Sequence, residues 1–93
     1  MNQKGSSSFF ITAEQLRAAR ALLGWSQTQL GKWAGLSLPT VKRVETDRGP
    51  KVSIEARVVL KQALEKGGVE FIEENGGGPG VRLRKRQRAK RPK

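Results

Sequence analysis

The sequence contains neither cysteine nor histidine. Without cysteine it can form no disulfide framework and no thiolate metal site. Without histidine it lacks the commonest general base and metal ligand. No apolar run approaches the roughly 20 residues that cross a bilayer, and the N-terminal stretch before Gln15 lacks the long apolar segment of a secretory signal. These absences predict a cytoplasmic protein that is not an enzyme and that needs no metal, cofactor or membrane.

Acidic residues are scarce beside basic ones. The 93 residues include 19 Lys and Arg but 8 Asp and Glu, for a formal net charge of +11. Eight of the 19 basic residues lie in 82–93, where there is no acidic residue. A chain of this charge is expected to bind a polyanion. Residues 87–93 are predicted to form a disordered basic tail, because like charges repel each other.

The first half of the chain carries two capping boxes, in which Ser or Thr is followed three residues later by Gln. They begin at Thr12 and at Ser26. They predict helices over 13–23 and 27–34, and a glycine follows each segment. Residues 1–11, which precede the first box, are expected to be a flexible N-terminus.

Two further helices are predicted downstream. Ser37 is the expected N-cap of a third helix that runs to about Thr46, and Ser53 caps a fourth over 54–66. The fourth segment has apolar residues at the spacing of a core-facing helical side. These residues are Ala56, Val59, Leu60, Ala63 and Leu64.

The spacing of the apolar residues changes after the two glycines at 67–68. Residues 69–72 are β-branched or aromatic at three of four positions, and 81–84 alternate apolar and basic. The glycine-rich spacer between them predicts a β-hairpin. The hairpin extension is assigned to residues 67–86.

Residues 27–45, QTQLGKWAGLSLPTVKRVE, have the spacing of two short helices that cross closely. Gly31 and Ala34 supply small side chains for the crossing, and Gly35 suits the left-handed turn. Val41 marks the buried side of the third helix. Its outer side then carries Leu38, Thr40, Lys42 and Arg43.

This stretch resembles the Cro/C1-type helix-turn-helix of phage repressors and of xenobiotic-response-element-like bacterial regulators. Ser-Gln opens the second helix, a small residue lies within it, Gly makes the turn, and a β-branched residue precedes Glu45. The resemblance covers residues 12–66. It implies a mainly α fold, a four-to-five-helix phage-repressor-like domain followed by the short hairpin and the basic tail.

The resemblance implies a sequence-specific DNA-binding transcriptional regulator of bacterial or phage origin, associated with the nucleoid and acting as a repressor or autoregulator. Its third helix would read the major groove. The residues expected to contact double-stranded DNA are Gln27, Lys32, Ser37, Leu38, Thr40, Lys42, Arg43, Arg48 and Lys51.

The chemistry of these residues suits different contacts. Thr40 can hydrogen-bond a base edge, and Lys42 and Arg43 can donate to guanine. Gln27, at the start of the second helix, can hold a phosphate. Leu38 stands where the family usually has a polar residue, so it either covers a thymine methyl or packs against protein.

Two other features have structural interpretations. The resemblance suggests that Arg20 and Glu45 form an ion pair between the first and third helices. Trp25 and Trp33 can stack on bases, but their positions near leucines favour packing within the protein.

A single helix-turn-helix reads few base pairs, so a homodimer is expected. The hairpin is the predicted interface, because an isolated hairpin leaves edges open. The residues assigned to it are Val69, Phe71, Ile72, Val81 and Leu83. The competing interpretation folds the hairpin onto the fourth helix of its own chain and leaves the protein monomeric.

Two other functions remain open on the sequence. One is the antitoxin of a toxin–antitoxin pair, which binds DNA with one part and a toxin protein with the hairpin extension. The other is a nucleoid-coating protein that binds all DNA sequences alike through its basic tail.

Overall fold

The computed structural model of the protein describes residues 11–46 and 54–84. Four helices come first: α1 (Ala13–Leu23), α2 (Gln27–Ala34), α3 (Leu38–Thr46) and α4 (Ile54–Gly67). Two antiparallel strands follow, β1 (Val69–Ile72) and β2 (Gly80–Leu83). Within the two described ranges, no helix is long and apolar enough to cross a membrane.

The predicted fold class is confirmed: the described chain is mainly helical and ends in a short antiparallel hairpin. The second strand begins and ends one residue earlier than expected, and α4 extends to Gly67. The flexible N-terminus and disordered tail that the sequence predicts lie outside the described residues, except for Ile11.

The helix ends follow from local hydrogen bonding. In α1 the Thr12 hydroxyl accepts from the Gln15 N–H, and the Gln15 side chain accepts from the Thr12 N–H, both at 2.9 Å. Ser26 and Gln29 form the same box at α2, at 3.0 and 2.8 Å. Both helices end at a glycine in the left-handed conformation, with φ of 70° and 73°. The caps therefore set where α1 and α2 begin and end.

The hydrophobic core lies where the four helices meet the hairpin. Each helix and β1 contribute at least one fully buried apolar side chain, and the segment before α1 contributes another. The large ones are Ile11, Leu16, Leu30, Val41, Val44, Leu60, Leu64 and Val69. Burial of such side chains is the main favourable term in folding.

The hairpin packs on α1 and α4 of its own chain, in the manner of the competing interpretation given above. The buried Gln15 amide fastens it, because Nε2 donates to the carbonyls of Ile72 at 3.2 Å and Gly80 at 3.0 Å. One glutamine thus caps α1 and closes the turn end of the hairpin.

This docking decides which hairpin side chains reach the surface. Val69 and Phe71 are 0% and 8% exposed within one chain, so they offer no surface to a second copy. Ile72 and Val81 are half-buried, and Leu83 is 49% exposed. An interface on the hairpin would therefore have to use Leu83 and its neighbours at the strand edge.

The outer face of the hairpin carries an exposed ion pair. Arg82 donates two hydrogen bonds to the Glu70 carboxylate, at 3.1 and 3.2 Å. These bonds, and the positive charge itself, hold the pKa of Glu70 below its ordinary value. Because both side chains are largely exposed, the pair contributes little to the stability of the fold.

Helices α2 and α3 come into close contact at Gly31. A Cβ added there would lie 2.7 Å from the Leu36 carbonyl oxygen and 3.3 Å from Val41 Cγ2. The Leu36 N–H also donates to the Gly31 carbonyl at 2.9 Å. Glycine is therefore required because the turn backbone passes directly over α2.

We expect Gly31→Ala to lower the melting temperature, although alanine is the better helix former by about 1 kcal/mol. The added methyl meets backbone, which cannot rotate away as a flexible side chain would. Thermal unfolding followed by circular dichroism measures the effect. Thr28→Ala, at an exposed position of the same helix, is the control and should not lower it. A higher melting temperature for Gly31→Ala would contradict the contact.

Candidate nucleic-acid interface

The buried side of α3 ends in a carboxylate. Glu45 is 1% exposed, and its side chain accepts two hydrogen bonds from the Arg20 guanidinium of α1, at 2.7 and 3.1 Å. The Gln27 amide of α2 donates a third at 3.0 Å. The structure thus brings together the two residues expected to pair, and it adds Gln27 to them.

The same cluster holds the ends of the helices. Arg20 also donates to the Trp25 carbonyl in the α1–α2 turn at 3.0 Å. Arg17 donates to the main-chain carbonyl of Glu45 near the end of α3. Carbonyls near a helix C-terminus have no partner within the helix, so a guanidinium there is favourable. The cluster therefore joins α1, α2 and α3.

The opposite side of α3 is open. Pro39, Lys42, Arg43 and Thr46 are exposed on it. Neither Lys42 nor Arg43 has an ion pair within 11–46 and 54–84. Two cations on the outward side of a helix whose other side is buried form the kind of surface that contacts the edges of base pairs.

The N-terminal end of α3 is more ordered than the sequence indicated. The Ser37 and Thr40 hydroxyls lie 2.9 Å apart, and the Thr40 N–H donates to Ser37 Oγ at 3.3 Å. Thr40 is half-buried, and Leu38 is 36% exposed. The Ser37–Thr40 hydrogen bond therefore orients the Thr40 hydroxyl before any ligand arrives.

The N-terminus of α2 offers backbone donors. Its capping box uses the N–H groups of Ser26 and Gln29. The first amides of a helix, here those of Gln27 and Thr28, have no partner inside it. The Gln27 side chain, however, is turned inward to Glu45. An anion at this end therefore meets the backbone N–H groups, whether or not the Gln27 amide also reaches it.

The remaining site residues are less closely grouped. Lys32 is exposed on α2. Arg48 and Lys51 lie outside the described residues. Thr46, which the sequence analysis did not select, is exposed and donates to the Lys42 carbonyl at 2.9 Å. Its place four residues after Lys42, on the same helical face, is the signal that could have identified it.

We expect Glu45→Ala to lower the free energy of unfolding by about 3–5 kcal/mol, since it leaves the Arg20 charge and the Gln27 amide without their partner. Urea denaturation measures the change. Glu73→Ala removes an exposed carboxylate and should leave the value within error of the parent. Equal stability of the two variants would mean that the cluster adds nothing to the fold.

The chain matches a known protein family. A model of the helix-turn-helix domain matches residues 12–70, which span α1 to the start of β1. No curated protein sequence matches the chain. The family match covers more than half of the 93 residues and includes the α2–turn–α3 unit described above. The chain therefore belongs to the helix-turn-helix domain family.

Proposed function

We propose that this protein is a sequence-specific transcriptional regulator of the Cro/C1 type that reads the major groove with α3. Membership of a helix-turn-helix family supports DNA binding. The single observation that carries the proposal is the division of α3 into two sides. Val41, Val44 and Glu45 are buried, whereas Lys42 and Arg43 are exposed. The helix is thus rigidly held while its cations remain available.

The base contacts follow from side-chain chemistry. Arg43 presents a planar set of donors that fits the O6 and N7 acceptors of guanine, and Lys42 can donate to the same acceptors. Thr40 can add one hydrogen bond from its oriented hydroxyl. Leu38, with no polar atom in its side chain, fits a thymine methyl.

Phosphate contacts would fix the register of the protein on the duplex. The N-terminal amides of α2 suit one phosphate, because the helix dipole and free N–H groups both favour an anion there. Lys32, in the second half of α2, and Ser37, in the turn before α3, are assigned phosphate contacts as well. Arg48 and Lys51, between α3 and α4 in the sequence, are assigned the same role.

We propose repression or autoregulation as the regulatory mode, because a bound domain that occupies a promoter needs no further surface to exclude polymerase. An antitoxin would bind DNA through the same side of α3, so the DNA-binding test below applies to that alternative as well. A nucleoid-coating protein would show equal affinity for all sequences.

We expect Arg43→Ala to cost about 1–3 kcal/mol of binding free energy on the preferred site and less on random DNA. Selection from a random duplex library defines the preferred site, and titrations at one fixed salt concentration give both affinities. Lys66→Ala is the control, because it removes an exposed positive charge from α4, outside both α3 and the hairpin. Equal losses on both DNAs for Arg43→Ala would reassign this residue to phosphate contact.

We also propose a homodimer, since two half-sites supply the specificity that one motif lacks. The strand edge of the hairpin is the candidate interface. In the described part of the chain the sheet has two strands, and Leu83 at the end of β2 is 49% exposed. Pairing of β2 with its symmetry mate would cover Leu83 and satisfy unpaired backbone groups of the edge.

We expect the full chain to sediment as a dimer at tens of micromolar, a typical concentration for such measurements, and Leu83→Glu to sediment as a monomer. The introduced charges would meet across the two-fold axis. Ile54→Glu changes an apolar residue on α4 of similar exposure, 57% against 49%, and should remain dimeric. A monomeric parent, or a dimeric Leu83→Glu variant, would show that the hairpin does not form a dimer interface. Truncation before β1 is unsuitable, because it would delete the buried Val69 and Phe71.

A further inference from the structure

Trp33 is the most exposed of the large apolar side chains in the described parts of the chain, at 68%. Its indole is stacked on that of Trp25, with ring centroids 6.0 Å apart and planes inclined by 21°. Trp25 in turn is half-buried and packs against the core. The ring of Trp33 is therefore supported on one side while most of its surface remains in water.

A groove of about 590 Å³ opens beside Trp33, between α2, the second half of α4 and the end of β2. Val59 and Ala63 provide an aliphatic floor. Lys66 and Arg84 stand at the rim. A smaller, mainly apolar hollow of about 230 Å³ lies on the Trp25 side of the same indole. Trp33 thus lies between a groove of mixed polar and apolar lining and a mainly apolar hollow.

The rim is positively charged, and part of it is preorganised. Arg84 donates to the Glu65 carbonyl at 2.6 Å and to the Val69 carbonyl at 3.4 Å, which holds its guanidinium at the end of α4. Lys66 is exposed. The acid in the groove's lining, Glu65, is paired with Lys61 at 3.1 Å. An occupant that complements this groove is therefore acidic.

The groove faces away from α3. Each residue turns a helix by about 100°, so Trp33 lies roughly 200° around α2 from Gly31. Gly31 contacts the turn and α3, whereas Trp33 faces α4. A molecule in the groove would leave the outer side of α3 open. DNA and the occupant can then be held at the same time.

We propose that this groove binds an acidic segment of another protein. An apolar side chain of that segment packs on Trp33 above Val59 and Ala63, and flanking carboxylates meet Lys66 and Arg84. Tryptophan and arginine are among the residue types enriched at the few positions that carry most of the binding energy of protein interfaces. A second copy fits less well, because the chain has 8 acidic against 19 basic residues and so offers few carboxylates to meet this rim. Single-stranded nucleic acid could stack its bases on the indole, but it would leave the aliphatic floor of Val59 and Ala63 without a partner.

A peptide-display selection tests the proposal. A library of random peptides is selected on the full-length protein, and binders to the Trp33→Ala variant are removed. We expect the recovered peptides to combine one large apolar residue with Asp or Glu. A synthetic peptide of the most frequent sequence should bind Trp33→Ala about tenfold more weakly than the parent, as expected for an interface hot spot. It should also bind Lys66→Glu several-fold more weakly.

The controls separate docking from folding and from DNA binding. Leu22→Ala, at an exposed apolar position on α1, should bind the peptide as the parent does. Trp33→Ala should keep the parent melting temperature within a few degrees and its DNA affinity, since its side chain is mostly in water.

Several results would overturn the proposal. One is recovery of no peptide above the Trp33→Ala background, and another is recovery of peptides without acidic residues. Loss of self-association in Trp33→Ala would assign the groove to a second copy. Quenching of tryptophan fluorescence by oligo(dT) that disappears in Trp33→Ala would assign it to single-stranded nucleic acid.

Discussion

The position of α3 depends on one buried carboxylate. Glu45 accepts hydrogen bonds from Arg20 of α1 and Gln27 of α2, and it is almost completely shielded from water. A charge in such a place is tolerated only when its partners are complete. The three helices must therefore keep one mutual arrangement. This arrangement also fixes the position of the outer side of α3.

The close contact of α2 with α3 adds a second constraint. Gly31 allows the Leu36 backbone to pass over α2, and Val41 packs against it. The carboxylate cluster and this steric contact bear on opposite ends of α3. Together they leave Lys42 and Arg43 as the groups with freedom to adapt, which suits a surface that must meet a fixed pattern of base edges.

The face of α2 turned toward α4 has a different character from the face turned toward α3. On the side toward α4, the exposed Trp33 indole lies beside aliphatic side chains of α4 and a cationic rim. On the side toward α3, Gly31 packs closely against the turn. A small helical domain can thus carry two separate surfaces, because a helix directs residues two positions apart to nearly opposite sides. In this protein α2 divides the α3 surface from the Trp33 groove.

Local sequence determined the helices and their ends. The capping boxes at Thr12 and Ser26, with glycines after each helix, act through hydrogen bonds within a few residues, and so α1 and α2 were predictable to the residue. The outward position of Lys42 and Arg43 was predictable as well, since it depends only on helical periodicity and on Val41 being buried. Tertiary structure decided the rest. Gln15 turned out to fasten the hairpin, and Val69 and Phe71 entered the core of their own chain, because α1 and α4 offered them an apolar face that a sequence pattern cannot position in space. The inward turn of Gln27 and the exposure of Trp33 likewise depend on which neighbours the helix crossings bring near, and no spacing within α2 encodes that.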